Sequence, residues 1–238
     1  MGATELVTVR GAHASSYVDS QCAQNLAPLR DGESAPTLVL DPKGTLVAVA
    51  LARRRSEEEL SLEVPSGVAA TLAARLERFA IRVDATFKVA AGPDRPWFAG
   101  ELERITAGIP GTAELARGLV AHGLEPVVLA ACVSYTKGCY PGQELVARMQ
   151  SRGAIPPYVL RRGVLEGDAM PGASVGDPHK DGILTSACPD PDSGTRWALV
   201  IVHRLDAEAE TLTVGGADGG VVVLAGEPSL RFWRADAS

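Results

Sequence analysis

The chain has 238 residues, 46% of them hydrophobic and 22% charged, which excludes wholesale disorder and allows one or two domains with a sizeable core. Its net charge of −6 excludes bulk attraction to nucleic acid or anionic membranes. Only 5% of residues are aromatic, which argues against a stacking platform for single-stranded nucleic acid.

Residues 5–9 read as a short strand, followed by a helix with Val18, Cys22, Leu26 and Leu29 on one stripe. Two β-rich runs flank Asp41-Pro42-Lys43-Gly44, a turn in which Pro presets one angle and Gly tolerates positive φ. Arg53–Glu59 reads as a polar loop and Leu60–Val64 as a strand. Ser66 is the expected cap of a helix presenting Val68, Leu72, Leu76 and Phe79, and Ile81–Ala90 returns as a strand. This order indicates an α+β body.

A helix is expected near Leu102–Ile105, then one from a Thr112 cap to His122, closed by Gly123. Pro126–Ala131 reads as a short helix or turn, and Cys132–Tyr135 as a strand or an extended entry to a loop. Pro141-Gly142 precedes a helix at Glu144–Gln150 that Gly153 ends. Beyond Pro156 the helical period vanishes. Short apolar runs between Gly, Pro and Asp turns predict an antiparallel β-barrel, with Gly215-Gly216 as one of its turns. The expected division is 1–157 for the body and 158–238 for the barrel.

No apolar run approaches the roughly 20 residues of a membrane helix. The first residues lack the basic flank and apolar stretch of a secretory signal. Cysteines at 22, 132, 139 and 188 form no disulfide framework, so the reading is a reducing, cytoplasmic compartment. Cys132 and Cys139 lack zinc-site spacing, and the four histidines are isolated from each other, so no metal site is expected.

One segment concentrates chemistry: Lys137-Gly138-Cys139-Tyr140-Pro141-Gly142-Gln143-Glu144. A helix start and Lys137 close to Cys139 would favour its thiolate, making Cys139 the best reactive-group candidate. Residues 135–163 hold Lys137, Arg148, Arg152, Arg161 and Arg162 against Glu144 alone, a patch suited to an anionic small molecule. Such a run is also what a solvated helix face and a strand edge look like.

This octapeptide resembles the K-G-C-[FY]-x-G-Q-E signature of the YgfZ family, folate-binding proteins similar to the T-protein (aminomethyltransferase) of the glycine cleavage system. Arg104-Ile105 with Gly108 and Pro110, Val146-Ala147-Arg148, Gly182–Ser186 and Asp41–Gly44 resemble flanking segments of that family. The resemblance implies T-protein-like subdomains around a central hole, closed by the barrel, with the second subdomain abbreviated around 80–104. It implies tetrahydrofolate, or a one-carbon derivative, as cofactor, and a role in iron–sulfur cluster assembly or repair with iron–sulfur proteins as partners. It carries over Cys139 and Lys137 as catalytic candidates. Lys137, Tyr140, Gln143 and Glu144, with Arg148 and Arg152 of the following helix, are cofactor-binding candidates.

Three departures weigh against glycine cleavage itself. Gly44–Ala50 holds no carboxylate where aminomethyltransferases carry an Asp. Thr106 stands where they present a Glu to the pterin, and Ala23-Gln24-Asn25 replaces their T-N-D. Folate-dependent aminomethyl transfer and a non-catalytic partner role stand as alternatives.

Overall fold

The computed structural model describes residues 3–215, 219–226, 228 and 233. Two five-stranded antiparallel sheets organise the chain. The first has the order β2-β3-β4-β1-β5, built from β1 (Thr4–Arg10), β2 (Ser34–Leu40), β3 (Leu46–Ser56), β4 (Glu59–Pro65) and β5 (Thr86–Ala91). Two helices, α1 (Ala14–Gln21) and α2 (Ala69–Phe79), cover one face of it and enclose a core of Val7, Val18, Leu60, Leu62, Leu72 and Leu76.

The β2–β3 hairpin forms as expected, pairing Leu40 with Leu46. Asp41 Oδ1 accepts the N–H groups of Lys43 and Thr45 at 2.9 and 2.8 Å, and Gly44 adopts φ +88°. Elsewhere tertiary pairing overrides local pattern. Arg53–Arg55 are not a loop: β3 continues through them because β2 and β4 hold its two edges, and only Glu57 and Glu58 turn. α1 stops at Gln21, so Cys22 and Leu26 reach the core from extended chain rather than from a helical stripe. Cys22 instead bridges Val39 on the outer edge of β2.

Ser66 is not the cap of α2. Glu5 Oε2, from β1, accepts the N–H groups of Gly67 and Ala69 at 3.0 and 3.3 Å. The stretch 81–85 is not strand: Ile81 is 79% exposed and Arg82 takes φ +58°.

The connection to the second sheet is helical in short pieces: α3 (Glu101–Thr106), α4 (Thr112–Leu115), a 3₁₀ turn (Ala121–Gly123), α5 (Pro126–Cys132) and α6 (Gln143–Arg152). The expected helix to His122 breaks after one turn. Gly118 turns at φ +71°, and the next residues go to the sheet, with Leu46 N–H donating to Leu119 O at 2.7 Å. Gly153 ends α6 in the left-handed conformation, as its position predicts.

The second sheet has the order β7-β8-β6-β10-β9, from β6 (Tyr158–Glu166), β7 (Ile183–Pro189), β8 (Arg196–His203), β9 (Thr211–Thr213) and β10 (Val221–Leu224). It is not a closed barrel. Its end strands β7 and β9 form no ladder with each other, and only isolated bridges at Ser174 and Val175 reach Ile183 and Val214. Gly216 of the expected Gly-Gly turn lies outside the described residues. Leu38, Leu40, Ile105, Ile109, Val128, Leu160, Leu199 and Ile201 share one core cluster, which joins both sheets through the helical connection. Among the described residues no helix is long and apolar enough to cross a membrane.

Candidate functional site

The signature loop is fixed from both sides of Cys139. Lys137, with only 3% of its side chain exposed, turns inward. Its Nζ donates to the carbonyls of Asp19, Cys22 and Gln24 at 2.6, 3.0 and 2.9 Å, and lies 3.1 Å from Asp19 Oδ1. An ammonium has three protons, and here protein oxygens take all of them. Lys137 therefore ties the loop to the last turn of α1 and the segment after it. Tyr140 is buried in the main core, and burial pushes its phenol up to about 12. Its ring centroid lies 5.9 Å from Lys137 Nζ.

Gln143 closes the next turn: its Oε1 accepts Tyr140 N–H at 3.1 Å, and its own N–H donates to Tyr140 O at 3.3 Å. Gly142 takes φ +82°, and a Cβ there would stand 2.7 Å from Asp41 O and 2.9 Å from Gly44 Cα. The start of α6 is thus seated against the β2–β3 turn. Between these anchors Cys139 is exposed.

Glu144, Arg148 and Arg152 are exposed along α6, whose Val146 and Met149 face inward. Among the described residues none of the three forms an ion pair. The structure therefore gathers Lys137, Tyr140 and Gln143 into one anchoring unit and leaves Cys139, Glu144, Arg148 and Arg152 in solvent. The other cysteines are buried or partly buried. Burial pushes Cys22 up to about 12 and Cys132 well above the ordinary thiol range, while Cys188 is raised by partial burial and by Glu101.

Half-open pockets lie around α4. A cavity of about 550 Å³ is lined by Ser66, Glu101, Arg104, Thr112, Glu114 and Ser186, among others. A more apolar one of about 330 Å³, with Leu46, Val47, Val68 and Leu115, shares Thr112 with it. A third, of about 390 Å³, shares Ala116 with the second. The four-residue helix thus has space along several sides.

Its position is set by a buried polar cluster. The Arg104 guanidinium donates to both carboxylate oxygens of Glu101, to Ile109 O at 2.7 Å, to Glu114 Oε2 at 3.2 Å and to Ser186 Oγ at 2.7 Å. Glu114, fully buried on α4, also accepts Gly111 N–H at 2.7 Å and Ser186 Oγ–H at 2.6 Å. One guanidinium thereby links α3, α4 and β7. Sequence reading missed Glu114 and Asp19, and took Ser186 only as the end of the family-like segment Gly182–Ser186. Glu114 had a usable signal, since a carboxylate three residues after Gly111 has the spacing of a helix cap. Asp19 had none, because it acts only through a partner distant in sequence.

Thr106 turns its hydroxyl to its own helix, donating to Leu102 O at 2.9 Å with Glu103 O at 3.2 Å. It offers no carboxylate to a ligand.

No family model matches the chain. It is 24% identical over 188 residues to an uncharacterised protein of Haemophilus influenzae, an alignment covering 63% of this chain and 67% of that protein. In fold it is similar to the glycine cleavage system aminomethyltransferase T of Bartonella henselae, with a TM-score of 0.65 and 16% identity over 98% of this chain and 85% of that one. The likeness carries the fold: the mixed α/β architecture of the T-protein is the architecture of this chain.

Proposed function

We propose that this chain binds tetrahydrofolate, or a one-carbon derivative, in the cavities around α4, and acts with iron–sulfur proteins through the exposed thiol of Cys139. The observation that carries the folate reading is the cavity of about 550 Å³ lined by Glu101, Arg104 and Thr112, in a fold like that of the aminomethyltransferase T-protein. That size falls in the range of about 300–1,000 Å³ usual for small-molecule pockets. The donor set fits a pterin: Glu101 is a carboxylate acceptor for its N–H groups, and the hydroxyls of Ser66 and Thr112 both donate and accept. A bound folate would supply one-carbon or reducing chemistry. The protein's share is to hold it and to keep Arg104 paired.

In this reading Lys137, Tyr140 and Gln143 are positioning residues that hold the Cys139 loop, and Cys139 is the group that meets the partner. Arg148 and Arg152, unpaired on α6, remain available to an anionic ligand outside the cavity. Aminomethyl transfer is disfavoured by one specific observation, the self-satisfied hydroxyl of Thr106 in place of a carboxylate.

Calorimetric titration of the reduced protein with tetrahydrofolate and its 5-formyl form tests the folate reading. Micromolar binding is expected, and it should be lost in Thr112→Trp, which fills the shared wall of two cavities from an exposed position. Absence of binding to the folded wild type, or full binding by Thr112→Trp, overturns it. Cys139→Ala should abolish support of iron–sulfur enzyme activity in cells that depend on this chain; full support would remove the thiol from the reading.

A further inference from the structure

The two edges of the first sheet are treated differently. The outer edge of β2 is taken, by the Cys22–Val39 bridge and by Ala23 N–H donating to Leu38 O at 2.9 Å. No described strand pairs with the outer edge of β5. Among the described residues β5 pairs only with β1, and five of its six residues are exposed.

Which backbone groups are free follows from the ladder. Gly92 N–H donates to Thr4 O at 3.0 Å, one step beyond the Glu5–Ala91 pair. Alternation then turns the N–H and C=O groups of Ala90, Lys88 and Thr86 toward β1, and those of Phe87, Val89 and Ala91 outward. On the other side of β1, Gly11 N–H donates to Glu58 O and Ser66 N–H to Ala3 O, which places the odd-numbered residues of β1 on β4 and agrees with this assignment.

The strand and the segments that lead into and out of it are apolar and cationic. Phe79, Ile81 and Val89, exposed by 37%, 79% and 44%, are three of the large apolar side chains left in solvent. Residues 75–95 carry five basic side chains against Glu77, Asp84 and Asp94. Among the described residues Arg82, Lys88 and Arg95 form no ion pair.

We propose that the open edge of β5 is a docking site for an extended acidic segment of another protein, which adds to the sheet as a sixth strand. The main-chain groups of Phe87, Val89 and Ala91 supply the ladder, and Arg82, Lys88 and Arg95 select acidic side chains. A second copy of this chain is a poor occupant. Antiparallel pairing of β5 with β5 centred on Lys88 sets the two ammonium groups directly opposite each other, and like charges across strands are destabilising, whereas an acidic strand meets Lys88 with opposite charge. The site is separate from the α4 cavities and does not rest on the folate reading.

The test is fluorescence anisotropy with a short labelled peptide of alternating valine and glutamate, on the whole chain. Binding is expected to weaken with added salt and to vanish with lysine in place of glutamate. Val89→Pro removes an outward N–H without touching the β1 ladder, so the protein should stay folded and bind about tenfold or more weakly. Lys88→Glu should weaken binding too. Amide exchange should slow at Phe87, Val89 and Ala91 when the peptide is bound. Unchanged binding by a folded Val89→Pro, equal binding of the lysine peptide, or no binding at all overturns the proposal. Self-association that Val89→Pro abolishes would overturn it in favour of a second copy.

Discussion

Gly142, at the start of α6, lies against Gly44, at the tip of the β2–β3 turn, so closely that a Cβ on Gly142 would stand 2.9 Å from Gly44 Cα. Gly44 is equally confined: its own Cβ would fall 2.8 Å from Leu145 Cβ. Two glycines nearly a hundred residues apart let a hairpin and a helix touch backbone to backbone, and this contact seats the loop that carries Cys139.

Gly142→Ala should therefore destabilise the protein by about 1–3 kcal/mol, since it combines a left-handed φ with a clash against main chain. Gly138→Ala in the same loop should be nearly silent, because a Cβ there meets nothing within 4 Å. Denaturant midpoints of the two variants check the contrast.

The Arg104 cluster makes a second expectation. Glu114→Gln sets an amide NH2 among groups that all donate to the buried carboxylate, leaves Glu101 as the remaining carboxylate on Arg104, and should cost about 1–3 kcal/mol. Ser186→Ala removes hydrogen bonds between β7 and the helical connection and should cost about 1 kcal/mol. Glu101→Gln should cost less than Glu114→Gln, because the Glu101 side chain is half-exposed and water can replace it. Equal losses for Glu101 and Glu114 would contradict the assignment of Glu114 as the buried tie.

His122 gives the protein an acid-sensitive element. Both ring nitrogens are buried without a well-formed hydrogen bond, and burial holds the imidazole below its ordinary pKa of 6.5, offset only in part by nearby Gln150. The unfolded chain then binds a proton at higher pH than the folded one, so stability falls as pH drops below about 6.5. Urea midpoints between pH 7.5 and 5 should decline in the wild type. The decline should be smaller in His122→Gln, which carries no titrating group.

Thiol labelling should sort the cysteines by burial. Under native conditions Cys139 should react first and Cys188 more slowly. Cys22 and Cys132 should react only on unfolding, because their thiolates would have to form in an apolar core. Mass spectrometry of a timed alkylation reads the order. Protection of Cys139 in the folded state would contradict the exposed loop.

Lys137→Met should lower stability as well as function, because three carbonyls and Asp19 lose their common donor. A loss of about 1–3 kcal/mol is expected. Lys137→Met with unchanged stability would return Lys137 to the role of a free cation.

Much of this protein was legible in its residues. The Asp41–Gly44 turn, the strand β4, the ends of α6 and the change to short strands after Pro157 all follow from local rules: φ-permissive glycines, proline at its allowed positions, and hydrophobic period. The signature around Cys139 also stood out, because glycine, proline and charged residues rarely crowd into eight positions without a tight loop. What the sequence could not decide was where its side chains go. Lys137 reads as a free cation and is a buried tie; Ser66 reads as a cap, and Glu5 from another strand takes that role. The helix expected to reach His122 gives way to pairing with β3, and the expected barrel stays open between β7 and β9. Each outcome depends on partners brought near by folding, and a buried charge, a cap or a sheet edge is defined by those partners rather than by its neighbours in the chain.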